Sequence, residues 1–280
     1  MNERRLEILE ASVWSQVQGL VGPRFREHFG VSVLSEGGVV RIRAPRTRDL
    51  SLNRVYALGI QKPLTPQGLD ALVDEFREAG SSRFLISWAP VAKPDAAPRW
   101  FAERGFRRIP SILRLTRQTD ADIVAPTDLV VVEASAADAE RFGDVAARGN
   151  GLSAEYVEGF NSTIGSRGWR HYFALDGDRP VAAAALYVED DIAWAGFAGT
   201  LPEDRCRGAQ SALLARRIRD ACADGARWIT SWTTAESPER PNPSLHNMQR
   251  LGFAIGGEIE NWVLDLVPSV NDASRAARFL

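Results

Sequence analysis

The fold is decided at Thr200-Leu201-Pro202-Glu203-Asp204-Arg205-Cys206-Arg207-Gly208-Ala209-Gln210-Ser211-Ala212-Leu213-Leu214, where the character of the sequence changes within a few residues. The apolar segment 191–199 before this stretch is rich in small residues and predicts a strand. The segment from Ala209 to Ala223 predicts a helix, which Gly225 ends. The junction is therefore a strand, a basic turn and a helix.

The start of that helix suits an anion. The first amides of a helix have no acceptor within the helix, and the helix dipole adds partial positive charge there. Gly208 leaves the backbone open to a ligand, and Arg205 and Arg207 add guanidinium groups suited to phosphate. The turn therefore predicts a diphosphate cradle.

Three motifs in this part of the chain resemble those of the GNAT acyltransferase superfamily. The spacing Arg205-x-x-Gly208-x-Gln210 is similar to its pyrophosphate loop, Gln/Arg-x-x-Gly-x-Gly/Ala, with glutamine at the last position instead. Upstream, Thr200-x-Pro202 resembles the family's Val-x-Pro step. Downstream, Ser244-x-x-Asn247-x-x-Arg250-Leu251-Gly252-Phe253 resembles the second cofactor helix and its Gly-Phe turn. The resemblance covers residues 128–265 by motif and 31–115 by the order of elements.

Composition limits the class of protein. The chain has 280 residues, 45% of them apolar and 25% charged, which is typical of a soluble globular protein with room for two domains. A net charge of −2 argues against general nucleic-acid binding, which needs a basic excess. No apolar run approaches the ~20 residues of a membrane span, and the N-terminus predicts an amphipathic helix rather than a signal sequence. We therefore expect a cytoplasmic protein that contacts neither nucleic acid nor membrane. Its two cysteines and three scattered histidines imply no metal site.

The chain contains an internal repeat. The predicted order β-β-β-α-β-α-β over residues 31–115 recurs in the second half, and Arg104-Gly105-Phe106 aligns with Leu251-Gly252-Phe253. The first half lacks the Arg-x-x-Gly step, and Pro66 at its helix start removes a donor amide. We predict an α/β (α+β) tandem GNAT fold, in which each half is a mixed, mostly antiparallel twisted sheet flanked by helices. Its parts are a degenerate GNAT-like domain (1–117), a polar linker (118–127) and an acyl-CoA-binding GNAT acetyltransferase domain (128–280).

The resemblance implies a set of cofactor-binding residues in the second half. The strand edge is expected to bond the pantetheine arm, and the turn to hold the diphosphate. Ser244 and Asn247 are candidates to bond the pantetheine or a phosphate, and helix capping is the alternative role, particularly for Asn242 and Ser244. The resemblance also implies that the strand 228–233 splays from the cofactor strand and leaves a cleft. The predicted strand-edge and turn residues are Ala198, Gly199, Thr200, Arg205, Cys206, Arg207, Gly208, Ala209, Gln210 and Ser211.

The catalytic groups are less well defined. Many family members protonate the departing thiolate with a tyrosine, but the corresponding position here is Met248, which has no exchangeable proton. Glu236 follows the splayed strand and is a candidate base, directly or through water. His246, on the second cofactor helix, is a further candidate, because histidine is a common acid–base residue. Both residue types are also ordinary at a surface. Glu155, Tyr156 and Glu158 are candidates to face the substrate.

The resemblance implies an N-acetyltransferase that uses acetyl-CoA as cosubstrate and acetylates a primary amine by direct attack on the thioester. The acceptor is a small-molecule amine or a peptide amino group, and the carboxylates around the expected acceptor side favour a cationic one: Glu155, Glu158, Asp190, Asp191 and Glu236. Two alternatives stay open, a non-catalytic acyl-CoA-binding or sensor protein and an enzyme that uses another activated acyl donor. The sequence leaves the acceptor, the acyl length and the oligomeric state undefined.

Overall fold

The computed structural model describes residues 2–266, in which the predicted order of elements is present in both halves. The first half contains α1 (Glu3–Leu20), α2 (Pro23–Phe29), β1 (Ser32–Glu36), β2 (Val39–Arg43), β3 (Arg54–Tyr56), α3 (Pro66–Glu78), β4 (Arg83–Trp88), α4 (Ala97–Glu103) and β5 (Arg107–Gln118). The second half contains β6 (Val130–Glu133), α5 (Ala139–Gly149), α6 (Val157–Asn161), β7 (Trp169–Asp176), β8 (Arg179–Glu189), β9 (Ile192–Thr200), α7 (Ala209–Ala223), β10 (Trp228–Thr234), α8 (Pro243–Arg250) and β11 (Ala254–Asp265).

All eleven strands found within residues 2–266 belong to one sheet, in the order β1-β2-β3-β4-β11-β5-β10-β9-β8-β7-β6. Most neighbours are antiparallel, whereas β3–β4 and β9–β10 are parallel and are connected through the crossover helices α3 and α7. The mixed, mostly antiparallel sheet flanked by helices confirms the predicted fold class.

The two halves exchange their last strands. β11 of the second half lies between β4 and β5 of the first half and is antiparallel to both. In turn, β5 lies between β11 and β10, so the first half supplies a strand to the sheet of the second half. The sheet is therefore continuous across both halves.

Helix α1 adds a second link between the halves. Its side chains Leu6, Leu9, Val13 and Val17 are buried in the same apolar cluster as Phe142 and Trp169 of the second half. On its other buried positions, Glu7 and Glu10 form ion pairs with Arg114 of the exchanged strand β5. Because an unpaired charge is costly in the interior, this triad holds α1 to one position on the sheet.

The predicted linker is bonded to the second half. The Thr119 hydroxyl donates to the Ala226 carbonyl at 2.6 Å, and the Thr127 hydroxyl donates to the Arg207 carbonyl at 3.0 Å. Gln118 is the last residue of β5. The division into two domains at 118–127 stays a prediction, and residues 267–280 of the predicted second domain lie outside the described residues. None of the helices within residues 2–266 has both the length and the apolarity for a membrane span.

Candidate functional site

The sheet opens between β9 and β10. These strands pair only from Ile192 to Trp194 and from Trp228 to Thr230, whereas β9 continues to Thr200 and β10 to Thr234. The Ser231 hydroxyl donates to the Ala195 carbonyl at 2.8 Å where the strands begin to diverge. A cavity of about 960 Å³ has its walls on the two diverging strands, α7, α8 and the first half.

A β-bulge lies on the cavity side of β9. Ala185 pairs with Gly196 and Ala183 with Gly199, so β9 carries one extra residue against β8. Phe197, within the bulge, has a φ of +52°, which is rare for a bulky residue. The bulge removes backbone groups of β9 from the regular ladder at the point where that strand lines the cavity.

Arg217 of α7 supports this bulge from the interior. Its Nη1 donates to the Ala185 carbonyl at 3.1 Å and to the Gly196 carbonyl at 3.3 Å, and its side chain is 1% exposed. No carboxylate of residues 2–266 lies within ion-pairing distance of it. Burial lowers the pKa of Arg217 to about 10, so the side chain remains charged at neutral pH. The cavity therefore has a buried positive charge in its wall.

The N-terminus of α7 is open to the cavity. Its N-cap, Gly208, has a φ of +81° and makes no side-chain cap. A β-carbon there would lie 3.3 Å from the Pro126 carbonyl oxygen, so both the backbone angle and the available space favour glycine. The first intrahelical bond reaches from the Ala212 amide, which leaves the amides of residues 209–211 without helical acceptors.

The two arginines of the turn have different surroundings. Arg205 lines the cavity and pairs with no carboxylate of the described residues. Arg207 lies outside the lining, with its Nη1 2.7 Å from Asp176 and its Nη2 3.1 Å from Asp128. These carboxylates raise the pKa of Arg207. Arg207 therefore anchors the loop, whereas Arg205 is available to a ligand.

The other predicted cofactor residues all contribute to the cavity wall. Gly199 is small for an additional reason, because a β-carbon on it would lie 2.7 Å from Asn150 Nδ2 and 3.1 Å from the Gly149 carbonyl carbon. The C-terminal end of α5 thus packs directly on β9. The lining contains Ala198, Gly199, Thr200, Arg205, Cys206, Gly208, Ala209, Gln210, Ser211, Ser244 and Asn247.

Gln210 connects the first turn of α7 to α8. Its Nε2 donates to the Ser244 hydroxyl at 2.6 Å, and its Oε1 accepts from Asn247 Nδ2 at 2.7 Å. The side chain that stands at the family's Gly/Ala position therefore joins two helices, α7 and α8, that both line the cavity. Helix α8 itself is capped by Asn242, whose Oδ1 accepts from the Leu245 amide at 3.2 Å.

Glu236 and His246 lie beside the cavity rather than in its lining. The Glu236 carboxylate accepts from the Asn242 amide and from His246 Nε2, both at 3.1 Å. The Asn242 amide and then His246 lower the pKa of Glu236, which makes it a weaker base than an ordinary glutamate. Asn242, which contacts Glu236, does line the cavity. The catalytic roles of Glu236 and His246 stay predictions.

The lining of the described cavity contains no histidine and no unpaired carboxylate. Its one acid, Asp204, accepts from both Nη atoms of Arg179 at 2.8 and 2.7 Å. Met248 is buried in the wall. His171 is buried in the second half outside the lining, and burial lowers its pKa to about 4, so it is neutral at pH 7.

The prediction that carboxylates line the acceptor side of the cavity is wrong. Of the three residues predicted on the substrate helix, Tyr156 lines the cavity, but Glu158 instead caps α2 by accepting from the Phe25 amide at 3.0 Å. Asp191 pairs with Arg5 far along the sheet. Glu155, Asp190 and Glu236 are likewise absent from the lining. A carboxylate's place along the chain did not predict its orientation, because each has a closer partner or faces solvent.

The first half closes the other side of the cavity. Helix α1 contributes Trp14, Val17 and Gln18, and the segment before β3 contributes Ser51 and Leu52. The sequence indicated α1 only through its amphipathic helical pattern and did not predict which of its residues line the cavity. It also missed Arg250, Asn150, Trp194, Phe197 and Arg217, all of which line the cavity.

The corresponding region of the first half is closed. The Thr65 hydroxyl caps α3 by accepting from the Gly68 amide at 3.0 Å, so the helix start is occupied by its own side chain. The Lys93 amide donates to the Gly59 carbonyl at 2.9 Å and the Leu64 amide to the Lys93 carbonyl at 2.8 Å. These bonds join the chain after β3 to the chain after β4, where the second half has its cleft.

The fold and this site define an α/β protein of two similar halves, one of which has an open, positively charged ligand cleft. Residues 102–236 match the family model described as acetyltransferase (GNAT) domain. These residues are therefore similar to a domain of the GNAT superfamily, whose members typically use acetyl-CoA as cosubstrate and act on amine acceptors. No curated protein matches the chain. Among residues 2–266, no group of three or more His, Cys, Asp or Glu is arranged to hold a metal.

Three solved structures with the same fold each match between 77% and 95% of the chain. A GCN5-related N-acetyltransferase from Kribbella flavida is 18% identical with a TM-score of 0.61, over 95% of this chain and 98% of that one. A GCN5-related N-acetyltransferase from Sphaerobacter thermophilus is 16% identical with a TM-score of 0.57, over 83% and 82%. A tandem GNAT protein from the clavulanic acid biosynthesis pathway is 15% identical with a TM-score of 0.54, over 77% and 75%. At these identities the likeness establishes the fold.

Proposed function

We propose that the protein transfers an acetyl group from acetyl-CoA to a primary amine, by direct attack of the amine on the thioester. The observation that carries the proposal is the meeting of the diverging strands β9 and β10 with the uncapped start of α7. A long ligand with an anionic end fits this arrangement, because the strand edge offers backbone groups and the helix start offers amides beside Arg205. Acetyl-CoA supplies the activated acyl group.

Each part of the wall has a different task in this proposal. The amides of residues 209–211, Arg205 and Arg250 hold the diphosphate, and the edge of β9 at residues 198–200 orients the pantetheine arm. The β9 bulge and the buried charge of Arg217 stabilise negative charge that develops on the thioester oxygen. Positioning of this kind supplies a large part of the rate enhancement in acyl transfer.

The proposed reaction does not require a side chain in the cavity to donate a proton. The amine nitrogen forms the new N–C bond with its lone pair, and the C–S bond breaks with its electron pair on sulfur. One proton leaves the nitrogen and one reaches the thiolate. Met248 is unable to donate it, so we propose exchange through solvent, with Glu236 and His246 as the nearest titratable pair beyond Asn242.

Calorimetric titration of acetyl-CoA and CoA tests the binding part of the proposal. The wild-type protein is expected to bind both, and Gly208→Glu to bind neither, because the substitution adds bulk and negative charge at the helix start. Gly225→Glu is the matched control: it adds the same charge at another left-handed glycine, beyond the opposite end of α7, with no neighbour within 4 Å of the added carbon. Absence of binding to the wild type, or equal loss in both variants, contradicts the proposed site.

A non-catalytic acyl-CoA-binding or sensor role is the second candidate. The buried methionine at position 248 favours it, since this residue replaces the acid that many relatives use. Release of CoA thiol during incubation with acetyl-CoA and an amine separates the two functions. Tight acetyl-CoA binding without turnover of any amine supports the sensor role. Tighter binding of a different acyl donor indicates the third possibility, an enzyme that uses another activated acyl group.

A further inference from the structure

The cavity extends past the diverging strands into a chamber between the two halves. We define this acceptor chamber by its aromatic side chains, which come from α1, α2, the segment 152–160 and β9: Trp14, Phe25, Tyr156, Phe160, Trp194 and Phe197. Helices of the first half thus face the bulged strand of the second half across it.

Phe197 is the centre of the aromatic wall. Its ring centroid lies 5.3 Å from that of Phe160, 5.5 Å from that of Trp194 and 5.9 Å from that of Trp14, in edge-to-face geometry. A left-handed backbone at a phenylalanine is uncommon and persists only where the surroundings fix it. The bulge therefore turns an aromatic side chain toward the chamber at the strand that is expected to carry the acyl group.

The chamber offers no free carboxylate to a cationic acceptor. Two acids contact chamber residues without lining the cavity: Asp49, whose oxygens accept from the Tyr156 hydroxyl and from the Ser51 amide at 2.8 Å, and Glu158, which accepts from the Phe25 amide at 3.0 Å. Asp204, the acid of the cavity lining, is bound by Arg179. The arginines of the cavity lining, Arg205, Arg217 and Arg250, pair with no carboxylate of the described residues, so the unpaired charge there is positive. A polycationic amine would therefore lose its hydration without gaining an ion pair.

Three buried polar atoms of the lining have no partner within residues 2–266. They are the Gln18 carbonyl oxygen Oε1 and the indole nitrogens of Trp14 and Trp194. Gln18 and Trp194 are 3% and 1% exposed, so neither side chain reaches bulk solvent. Buried polar groups are normally hydrogen-bonded, and an unsatisfied one destabilises the fold. One acceptor and two donors among aromatic rings match a ligand that has both an N–H and an acceptor atom.

We infer that the acceptor is a primary amine on a flat, aromatic body with no second positive charge. Its ring packs among Trp14, Phe160 and Phe197, and Gln18 Oε1 accepts an N–H of its amino group. The inference rests on the proposed acetyl transfer, in which the nitrogen bonds the acetyl carbon, sulfur takes the electron pair of the C–S bond, and the amine proton goes to solvent. Gln18 is a positioning residue in this arrangement.

An amine series tests the inference on the wild-type protein. With acetyl-CoA in excess, 2-phenylethylamine is expected to give a kcat/KM for thiol release at least about tenfold above butylamine, because burial of the ring adds apolar contact. Cadaverine, which carries a second ammonium group, is expected to react more slowly than butylamine. If butylamine or cadaverine reacts as fast as 2-phenylethylamine or faster, the inference is overturned, although acetyl transfer itself is still supported.

A binding measurement keeps the test independent of turnover. The product analogue N-acetyl-2-phenylethylamine is titrated into the protein, free and with CoA, beside N-acetylbutylamine. We expect the ring compound to bind at least about tenfold more tightly and Gln18→Leu to weaken its binding about tenfold. Gln67→Leu, at an exposed glutamine of α3, is the control and is expected to change nothing. Equal affinity of the two analogues overturns the inference, whereas failure of acetyl-CoA to bind at all contradicts the proposed function instead.

Discussion

At the residue scale, two residues of the same type in the basic turn have different roles. Arg205 and Arg207 are two positions apart and both suit phosphate by chemistry. The structure brings Asp128 and Asp176, which are distant along the chain, to Arg207 and leaves Arg205 at the cavity. A single sequence identifies the residue types of such a cradle but not which arginine the acids of other strands will bind.

This difference predicts separate effects of removing each charge. Arg205→Gln is expected to weaken acetyl-CoA binding about tenfold, because a charge-assisted contact to phosphate is lost, and to reduce the dependence of affinity on salt. Arg207→Gln is expected mainly to lower the thermal midpoint, because its carboxylates lose their partner. Calorimetry and thermal unfolding measure the two quantities, with Arg99→Gln, at an exposed arginine of α4, as control. A larger loss of affinity in Arg207→Gln than in Arg205→Gln would reverse the assignment.

At the element scale, local patterns predicted most helices and strands. The helix expected at 209–223 has those bounds in the structure, and the helix of the first half begins at Pro66, as expected. Helix α2 was not predicted, although Pro23 at its start and the left-handed Gly30 at its end are typical helix boundaries. Its seven residues are too few to show a helical period, and Phe25 and Phe29 alone supply its buried face.

The contact of α5 with β9 predicts that a Gly→Ala substitution in this helix lowers the stability of the protein instead of raising it. Alanine normally stabilises a helix relative to glycine by about 0.5–1 kcal/mol, and Gly19→Ala on α1, with open space around it, is expected to do so. In Gly149→Ala the added carbon would lie 2.6 Å from the carbonyl carbon of Gly199, so we expect a loss of about 1–3 kcal/mol. Urea unfolding of both variants measures the difference. Stabilisation by both substitutions would mean that α5 does not pack this closely on β9.

At the scale of the whole molecule, strand exchange couples the two halves. Neither half has its complete sheet without the other, because β11 separates β4 from β5 and β5 separates β11 from β10. Helix α1 adds an apolar contact with the second half and a buried ion-pair triad on the exchanged strand. The acceptor chamber also needs both halves, since its walls come from each.

This coupling predicts one cooperative unfolding transition. Phe76→Ala, in the core of the first half, and Ile229→Ala, in the core of the second half, each remove a side chain that is 0% exposed. Each substitution is expected to lower the free energy of unfolding by about 3 kcal/mol. Both variants are expected to shift the same single transition, followed in urea by circular dichroism and by tryptophan fluorescence. Two transitions, only one of which moves in each variant, would show that the halves unfold independently.

The sequence by itself determined the strand, basic turn and helix around Gly208, the repeated order of elements and the closed state of the first half's helix start. These features depend on neighbours along the chain: a glycine at a left-handed position, apolar periodicity, and proline and threonine at a helix start. Only the tertiary structure decided the strand exchange, the orientation of Arg207, the place of the acidic residues and the aromatic chamber. These depend on groups far apart in sequence, whose pairing is fixed by sheet register and by the cost of burying unpaired charge.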